Sequence, residues 1–119
     1  MDKKKLKKEY KELKPDMGVY KIAFEGSDKV YLGISEDLKG TMNSMSFQLK
    51  LGAYRSNASL QKDFNKYGDN NMSVEVLEYL EHIKDNDEKN YIEDLESLRD
   101  IISNDYNDKE YIRYRKSSK

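Results

Sequence analysis

Two strand-like segments separated by a turn sequence constrain the fold of this chain more than any other feature. The segments MGVYKIAF (residues 17–24) and KVYLGI (residues 29–34) are rich in β-branched and aromatic residues, which favour strands. The four residues between them, EGSD at 25–28, are of the polar and glycine types that form tight turns. We therefore predict an antiparallel hairpin over residues 17–34.

The residues after the hairpin predict two helices, a third strand and a last helix. Apolar residues at helical spacing occur over 42–51 and 57–67, and a glycine follows each run, as is common at helix C-caps. Alternating apolar and polar residues over 72–79 predict a strand, and three- and four-residue apolar steps predict a helix over about 87–103. We expect a small α+β domain in which helices flank a three-stranded antiparallel sheet.

The predicted domain has a basic extension at each end. Apolar residues at helical spacing over 2–14, stopped by Pro15, predict an extra N-terminal helix. We divide the chain into three parts: a basic N-terminal extension (1–16), the α+β domain (17–104) and a basic C-terminal tail (105–119).

Charge is distributed unevenly along the chain, although the net charge is only −1. Residues 1–14 and residues 111–119 each carry +4, whereas residues 78–110 carry −8. Basic ends can hold phosphates by releasing counterions. The acidic segment is compatible with a solvated face or with a surface for a basic protein partner.

Composition excludes several classes of protein. The 119 residues include no cysteine, which excludes disulfides and thiolate metal sites and fits a reducing compartment. No apolar run reaches the roughly 20 residues of a membrane span, and the Lys-rich N-terminus lacks the apolar segment of a secretory signal. We therefore expect a cytoplasmic protein without a membrane partner, and the sequence leaves its oligomeric state open.

Five segments of the chain resemble the motifs of one nuclease family. Gly-Val-Tyr at 18–20 and Tyr-Leu-Gly at 31–33 resemble the paired tripeptides that name the GIY-YIG family. Three later segments resemble the family's remaining motifs, in the family's order: NASLQ…NKYG (57–68), VEVLE (74–78) and EKNYIE (88–93). The resemblance implies a GIY-YIG-like fold and hydrolysis of phosphodiester bonds in nucleic acid.

The resemblance also assigns roles to three residues. Tyr20 matches the tyrosine of the first tripeptide, a candidate to deprotonate or orient the attacking water. Tyr31 matches the second tyrosine, a candidate phosphate contact. Glu88 matches the carboxylate that holds the family's metal, which implies Mg²⁺ or Mn²⁺ if the protein is active. Structural explanations remain open, because tyrosine is a strand former and an acid in the first turn of a helix is favoured by the helix dipole.

The family's arginine and histidine have no counterpart after the second tripeptide. The family reads N-L-K-x-R-W-x-x-H there, whereas this chain reads DLKGTMNSM over 37–45. Thr41 or Met42 stands in place of the arginine, and Ser44 or Met45 in place of the histidine. A neutral group thus replaces a permanently charged guanidinium, and we expect cleavage to be weak or lost. Three other basic residues are candidate substitutes: Arg55, Lys39 and Lys62.

Three functions are consistent with these observations. The first, which we adopt, is a pseudoenzyme that binds nucleic acid, with DNA favoured over RNA. Its predicted contacts are Lys39, Arg55, Lys62, Arg113 and Arg115. The second is an active metal-dependent endonuclease, with catalytic residues Tyr20, Tyr31, Glu88 and Arg55. The third is a non-catalytic inhibitor on a nuclease fold, of the phage anti-defence type, which binds a protein partner.

Overall fold

A four-stranded sheet with helices on both faces organises the described part of the chain. The computed structural model describes residues 15–81 and 91–114. The strands are β1 (Met17–Phe24), β2 (Val30–Ser35), β3 (Met72–Leu80) and β4 (Lys109–Tyr111), in the spatial order β3-β1-β2-β4. The helices are α1 (Leu38–Leu51), α2 (Ala58–Tyr67), a short 3₁₀ helix (Asp69–Asn71) and α3 (Tyr91–Ser103). The mixed α+β class predicted from the sequence is confirmed.

The predicted hairpin is present at the centre of the sheet. Strands β1 and β2 pair antiparallel, with Tyr20 opposite Gly33 and Ile22 opposite Tyr31. Strand β3 pairs antiparallel with the other edge of β1, as the alternation over 72–79 predicts. Both central strands are almost wholly buried, because helices cover both faces of the sheet.

Local capping chemistry sets the ends of α1 and α2. The Asn57 side chain accepts the backbone N–H of Leu60, and Gly52 ends α1 in the left-handed conformation, with φ of 73°, which only glycine adopts without strain. Helix α1 begins four residues before the predicted start at 42, because the Asp37 side chain caps it. The helix predicted over 2–14 and the start of the helix predicted over 87–103 lie outside the described residues.

The predicted number of strands is wrong, because the described sheet contains a fourth strand within the segment that we assigned to a C-terminal tail. Strand β4 pairs parallel with β2. The backbone N–H of Ile112 donates to Leu32 O at 2.8 Å, and the side chain of Asn57 donates to Tyr111 O at 3.2 Å. A strand of three residues is too short to show a period-two pattern, so its pairing depends on these tertiary partners.

Each face of the sheet has its own apolar cluster. Tyr20, Ile22 and Phe24 of β1 pack with α1 and α2. Val19 and Ile34 point the other way and pack with Leu95 of α3. None of the described helices is long and apolar enough to cross a membrane.

Candidate functional site

A cleft of about 500 Å³ opens on the α1 side of the sheet. It lies where the end of β2, the first half of α1, the loop before α2 and the segment after β4 meet. Its polar lining includes Tyr20, Ser35, Thr41, Ser44, Tyr54 and Arg113. Tyr20 is the one residue of the resemblance-based catalytic set that reaches this cleft among the described residues. We therefore take the cleft as the candidate site.

Tyr20 reaches the cleft because it faces a glycine across the hairpin. A Cβ atom on Gly33 would lie 2.8 Å from Cε1 of Tyr20 and closer still to its Cζ, so no larger residue fits beneath the ring. The ring is 2 % exposed. The tyrosine of the first tripeptide and the glycine of the second are thus one packing unit, and their pairing in the sequence has a steric cause.

Burial makes the Tyr20 hydroxyl harder to ionise. Desolvation raises the pKa of Tyr20 well above its usual value, nearby Tyr54 raises it further, and Arg99 opposes the rise. A protonated phenol can donate a hydrogen bond to a water or a phosphate oxygen. It is poorly suited to remove a proton from water at neutral pH.

Tyr31 lies on the same sheet face but does not line the cleft. Its hydroxyl donates to the Asp63 carboxylate of α2. Its ring, which is fully buried, meets the Phe24 ring edge-on at a centroid distance of 6.4 Å. Burial, together with the hydrogen bond to Asp63, raises the pKa of Tyr31. The described fold therefore does not bring the two motif tyrosines together around one cleft.

Thr41 is one of the two neutral residues, with Met42, that stand where the resemblance requires an arginine. The Oγ1 atom of Thr41 is 2.6 Å from Oγ of Ser35, which is 1 % exposed and also accepts the backbone N–H of Asp37 at 2.9 Å. Met45 is buried, and Ser44 lines the cleft with its Oγ accepting from Gln48. This wall of the cleft therefore presents hydroxyl groups and no positive charge.

The N-terminus of α1 already has an anion of its own. The Asp37 carboxylate accepts the Gly40 backbone N–H at 3.1 Å. Helix N-termini attract negative charge, and Asp37 uses this attraction within the fold. A phosphate that entered the cleft here would meet a carboxylate.

Three residues after β4, which we call the C-terminal strap (Ile112, Arg113 and Tyr114), form one side of the cleft. The backbone N–H of Arg113 donates to Ser56 O at 3.4 Å, and the Tyr114 hydroxyl donates to Oε1 of Glu36 at 3.0 Å. Burial, then the hydrogen bond to Glu36, raises the pKa of Tyr114 to about 12. Arg113 is the basic side chain in the described lining of the cleft.

The other residues predicted to bind nucleic acid do not line the cleft. Lys39, Arg55 and Lys62 are exposed on α1, on the loop and on α2, outside the lining of the cleft. Arg115 and Glu88 lie outside the described residues. Within residues 15–81 and 91–114, no three acidic or histidine side chains come together as a metal site. The assignment of Glu88 as a metal ligand stays a prediction, because Glu88 lies outside these ranges.

Sequence reasoning did not identify Ser35, Tyr54 or Tyr114. Each is a common residue type in an ordinary context, and the sequence carries no signal that they meet. Arg113 was predicted as a nucleic-acid contact on a tail, but its proximity to Tyr20 depends on the pairing of β4 with β2.

Two solved structures resemble this chain, although no family model and no curated protein matches it. One is the catalytic domain of homing endonuclease I-TevI, with a TM-score of 0.60, 22 % identity, and coverage of 76 % of this chain and 87 % of that one. The other is the catalytic domain of intron endonuclease I-TevI in a mutant form, with a TM-score of 0.59, 22 % identity, and coverage of 76 % and 84 %. A likeness at this identity concerns the fold. Together with the motif positions described above, it shows that the chain has a GIY-YIG-like fold.

Proposed function

We propose that this protein binds nucleic acid through a nuclease-like fold and cleaves it weakly or not at all. One observation carries the proposal: the two candidates for the position of the arginine, Thr41 and Met42, are both neutral, and Thr41 pairs with buried Ser35 at 2.6 Å. The fold and Tyr20 support contact with a phosphate backbone. The neutral wall argues against efficient catalysis.

The charge balance of the cleft supports weak catalysis. The described lining contains Arg113 and two acids, Glu36 and Asp37, so its formal charge is −1. The transition state of phosphodiester hydrolysis carries more negative charge than the substrate, and it needs preorganised positive charge. Loss of one such contact typically lowers the rate by roughly 10²- to 10³-fold.

Binding requires less of the site than cleavage does. Arg113, together with exposed Lys39, Arg55 and Lys62, supplies positive charge for the phosphate backbone. The N-terminal segment carries a further +4. Such contacts release counterions, so affinity falls steeply with salt and depends little on sequence. DNA is the favoured ligand and RNA the second.

Fluorescence anisotropy with a labelled DNA duplex at increasing salt tests the binding. We expect Arg113→Ala to weaken binding about tenfold and to reduce the salt slope by about 1. Lys50→Ala is the matched control, because Lys50 is an exposed cation on α1 that does not line the cleft. Failure of the wild-type protein to bind either duplex or single-stranded DNA at low salt would overturn the proposal.

A plasmid-nicking assay with Mg²⁺ and with Mn²⁺ tests the catalytic part. We expect no nicking by the wild-type protein and a gain of nicking in Thr41→Arg, which restores a guanidinium on the cleft wall. Nicking by wild type that Glu88→Ala abolishes would instead establish an active metal-dependent endonuclease.

A protein-binding inhibitor is the second candidate, and the outer surface of α3 favours it. Glu93, Glu96 and Asp100 are exposed there, and Ile101 is 68 % exposed beside them. An acidic surface with an apolar side chain is suited to a basic protein partner. Co-purification of a basic protein that is lost in Ile101→Asp, without nucleic acid, would favour this function.

A further inference from the structure

Arg99 is an unusual residue for its position in α3. The buried side of this helix follows the four-residue spacing Leu95, Arg99 and Ser103, and Arg99 is only 8 % exposed. Burying a guanidinium is unfavourable unless its charge and its donors are satisfied. An apolar residue would continue the buried side of the helix without the free-energy cost of burying a charge. The arginine is therefore not explained by core packing alone.

The contacts of Arg99 lead to the segment before Arg113. Its guanidinium carbon lies 4.2 Å from the centroid of the Tyr111 ring, which is a cation–π geometry. Its Nη1 approaches Ile112 O at 3.5 Å, and its Nε has no hydrogen-bond partner in the described part of the chain. Within residues 15–81 and 91–114, no carboxylate forms an ion pair with it.

These contacts fix the backbone at the base of the C-terminal strap. Ile112 is held from both sides, because its N–H donates to Leu32 O at 2.8 Å and its carbonyl faces Arg99. Arg113 is the next residue and lines the cleft. Helix α3 covers the sheet face opposite the cleft, so Arg99 acts on the strap from behind the sheet.

We propose that Arg99 is a positioning residue that holds Tyr111 and Ile112 so that Arg113 presents its charge to the cleft. The inference rests on the proposed function, in which Arg113 contacts the phosphate backbone. Arg113 supplies a positive charge at the cleft, and Arg99 fixes where that charge lies. The effect of Arg99 on the pKa of Tyr20 agrees with a positive charge close behind the cleft.

The first test needs no nucleic acid. Hydrogen exchange of the Ile112 and Arg113 amides is measured in wild type, Arg99→Met, Arg99→Lys and the exposed control Ile101→Ala. We expect faster exchange at both amides in Arg99→Met, an intermediate rate in Arg99→Lys, and wild-type rates in Ile101→Ala, because lysine keeps the charge but loses the planar stacking group. Unchanged exchange in Arg99→Met would overturn the inference. If Arg99→Met does not fold, Tyr111→Leu removes the same stacking contact by changing its more exposed partner. This variant must then show the same faster exchange at the two amides.

The second test is a double-mutant cycle on DNA affinity. We expect Arg99→Met to weaken binding about fivefold, and Arg99→Met/Arg113→Ala to bind within about twofold of Arg113→Ala alone, because both changes remove one function. Lys50→Met controls for the lost charge. Additive losses would mean that Arg99 acts independently of Arg113 and would overturn the inference while leaving the proposed function intact. Absence of wild-type binding would instead overturn the proposed function, and with it the role of the strap in phosphate contact.

Discussion

Tyr20 and Tyr31 occupy the same face of the same hairpin, and their surroundings differ completely. Tyr20 lies across Gly33, and its side chain reaches the cleft. Tyr31 lies across Ile22 and is enclosed by Phe24 and by Asp63 of α2. Two features contribute to the difference: Gly33 leaves room for the Tyr20 ring to lie over the neighbouring strand, whereas α2 brings Asp63 to the Tyr31 hydroxyl. The Tyr20 end of the hairpin is therefore the candidate site, and the Tyr31 end is part of the core.

Among the substitutions in the hairpin, we expect replacement of Gly33 to have the largest effect on the Tyr20 end. We expect Gly33→Ala to lower the free energy of unfolding by about 3 kcal/mol, because the added methyl group overlaps the Tyr20 ring and overpacked cores are strained. Urea denaturation measures this change. The matched control is Gly33→Ala in a Tyr20→Leu background, where the clash is relieved. An equal cost in both backgrounds would show that the two residues do not act as one packing unit.

Removing each tyrosine hydroxyl in turn compares the contributions of Tyr20 and Tyr31 to the stability of the fold. We expect Tyr31→Phe to lower the free energy of unfolding by about 2 kcal/mol, since the hydroxyl donates to a carboxylate and such hydrogen bonds are strong. Tyr20→Phe should change it by less than about 0.5 kcal/mol, because removing this hydroxyl breaks no hydrogen bond within residues 15–81 and 91–114. Paired thermal and urea denaturation of both variants provides the measurement. Similar losses in the two variants would mean that both ends of the hairpin are structural.

Alkaline pH should weaken the cleft side of the fold. Burial raises the pKa of Tyr54 to about 12, although a hydrogen bond with Ser56 opposes the rise. Between pH 10 and 12 the unfolded chain loses this proton first, so the stabilisation is complete below pH 10 and is lost as the pH rises through 12. By about pH 11 we expect a loss of about 1 kcal/mol from Tyr54. Tyr54→Phe should reduce the fall between pH 9 and about pH 11, and an identical fall in that variant would contradict the assignment.

Several elements were predictable because their signals are local. The hairpin, the third strand and the helix end at Gly52 follow from spacing and from residue types that favour turns and helix ends. The resemblance correctly indicated the fold. Its Asn57 and Gln61 have clear structural roles, since Asn57 binds β4 and Gln61 joins Leu49 O to the Tyr54 backbone N–H.

The candidate site was less predictable, because its members come from distant parts of the chain. Tyr20 and Thr41 were identified by motif position. The enclosure of Tyr31 by Asp63 was not, because nothing in the sequence around residue 63 indicates which strand α2 will contact. The fourth strand was missed for the same reason, and with it the approach of Arg113 to Tyr20.

The sequence by itself determined the hairpin, the helices of the described region and the loss of the arginine on α1, because each depends on residues close together in the chain. Only the tertiary structure decided which tyrosine reaches the cleft and which basic side chain accompanies it. Both outcomes depend on contacts between distant segments: Tyr31 with Asp63, and β4 with β2. Such contacts form only after the helices pack on the sheet and β4 joins its edge, so no local pattern of residue types encodes them.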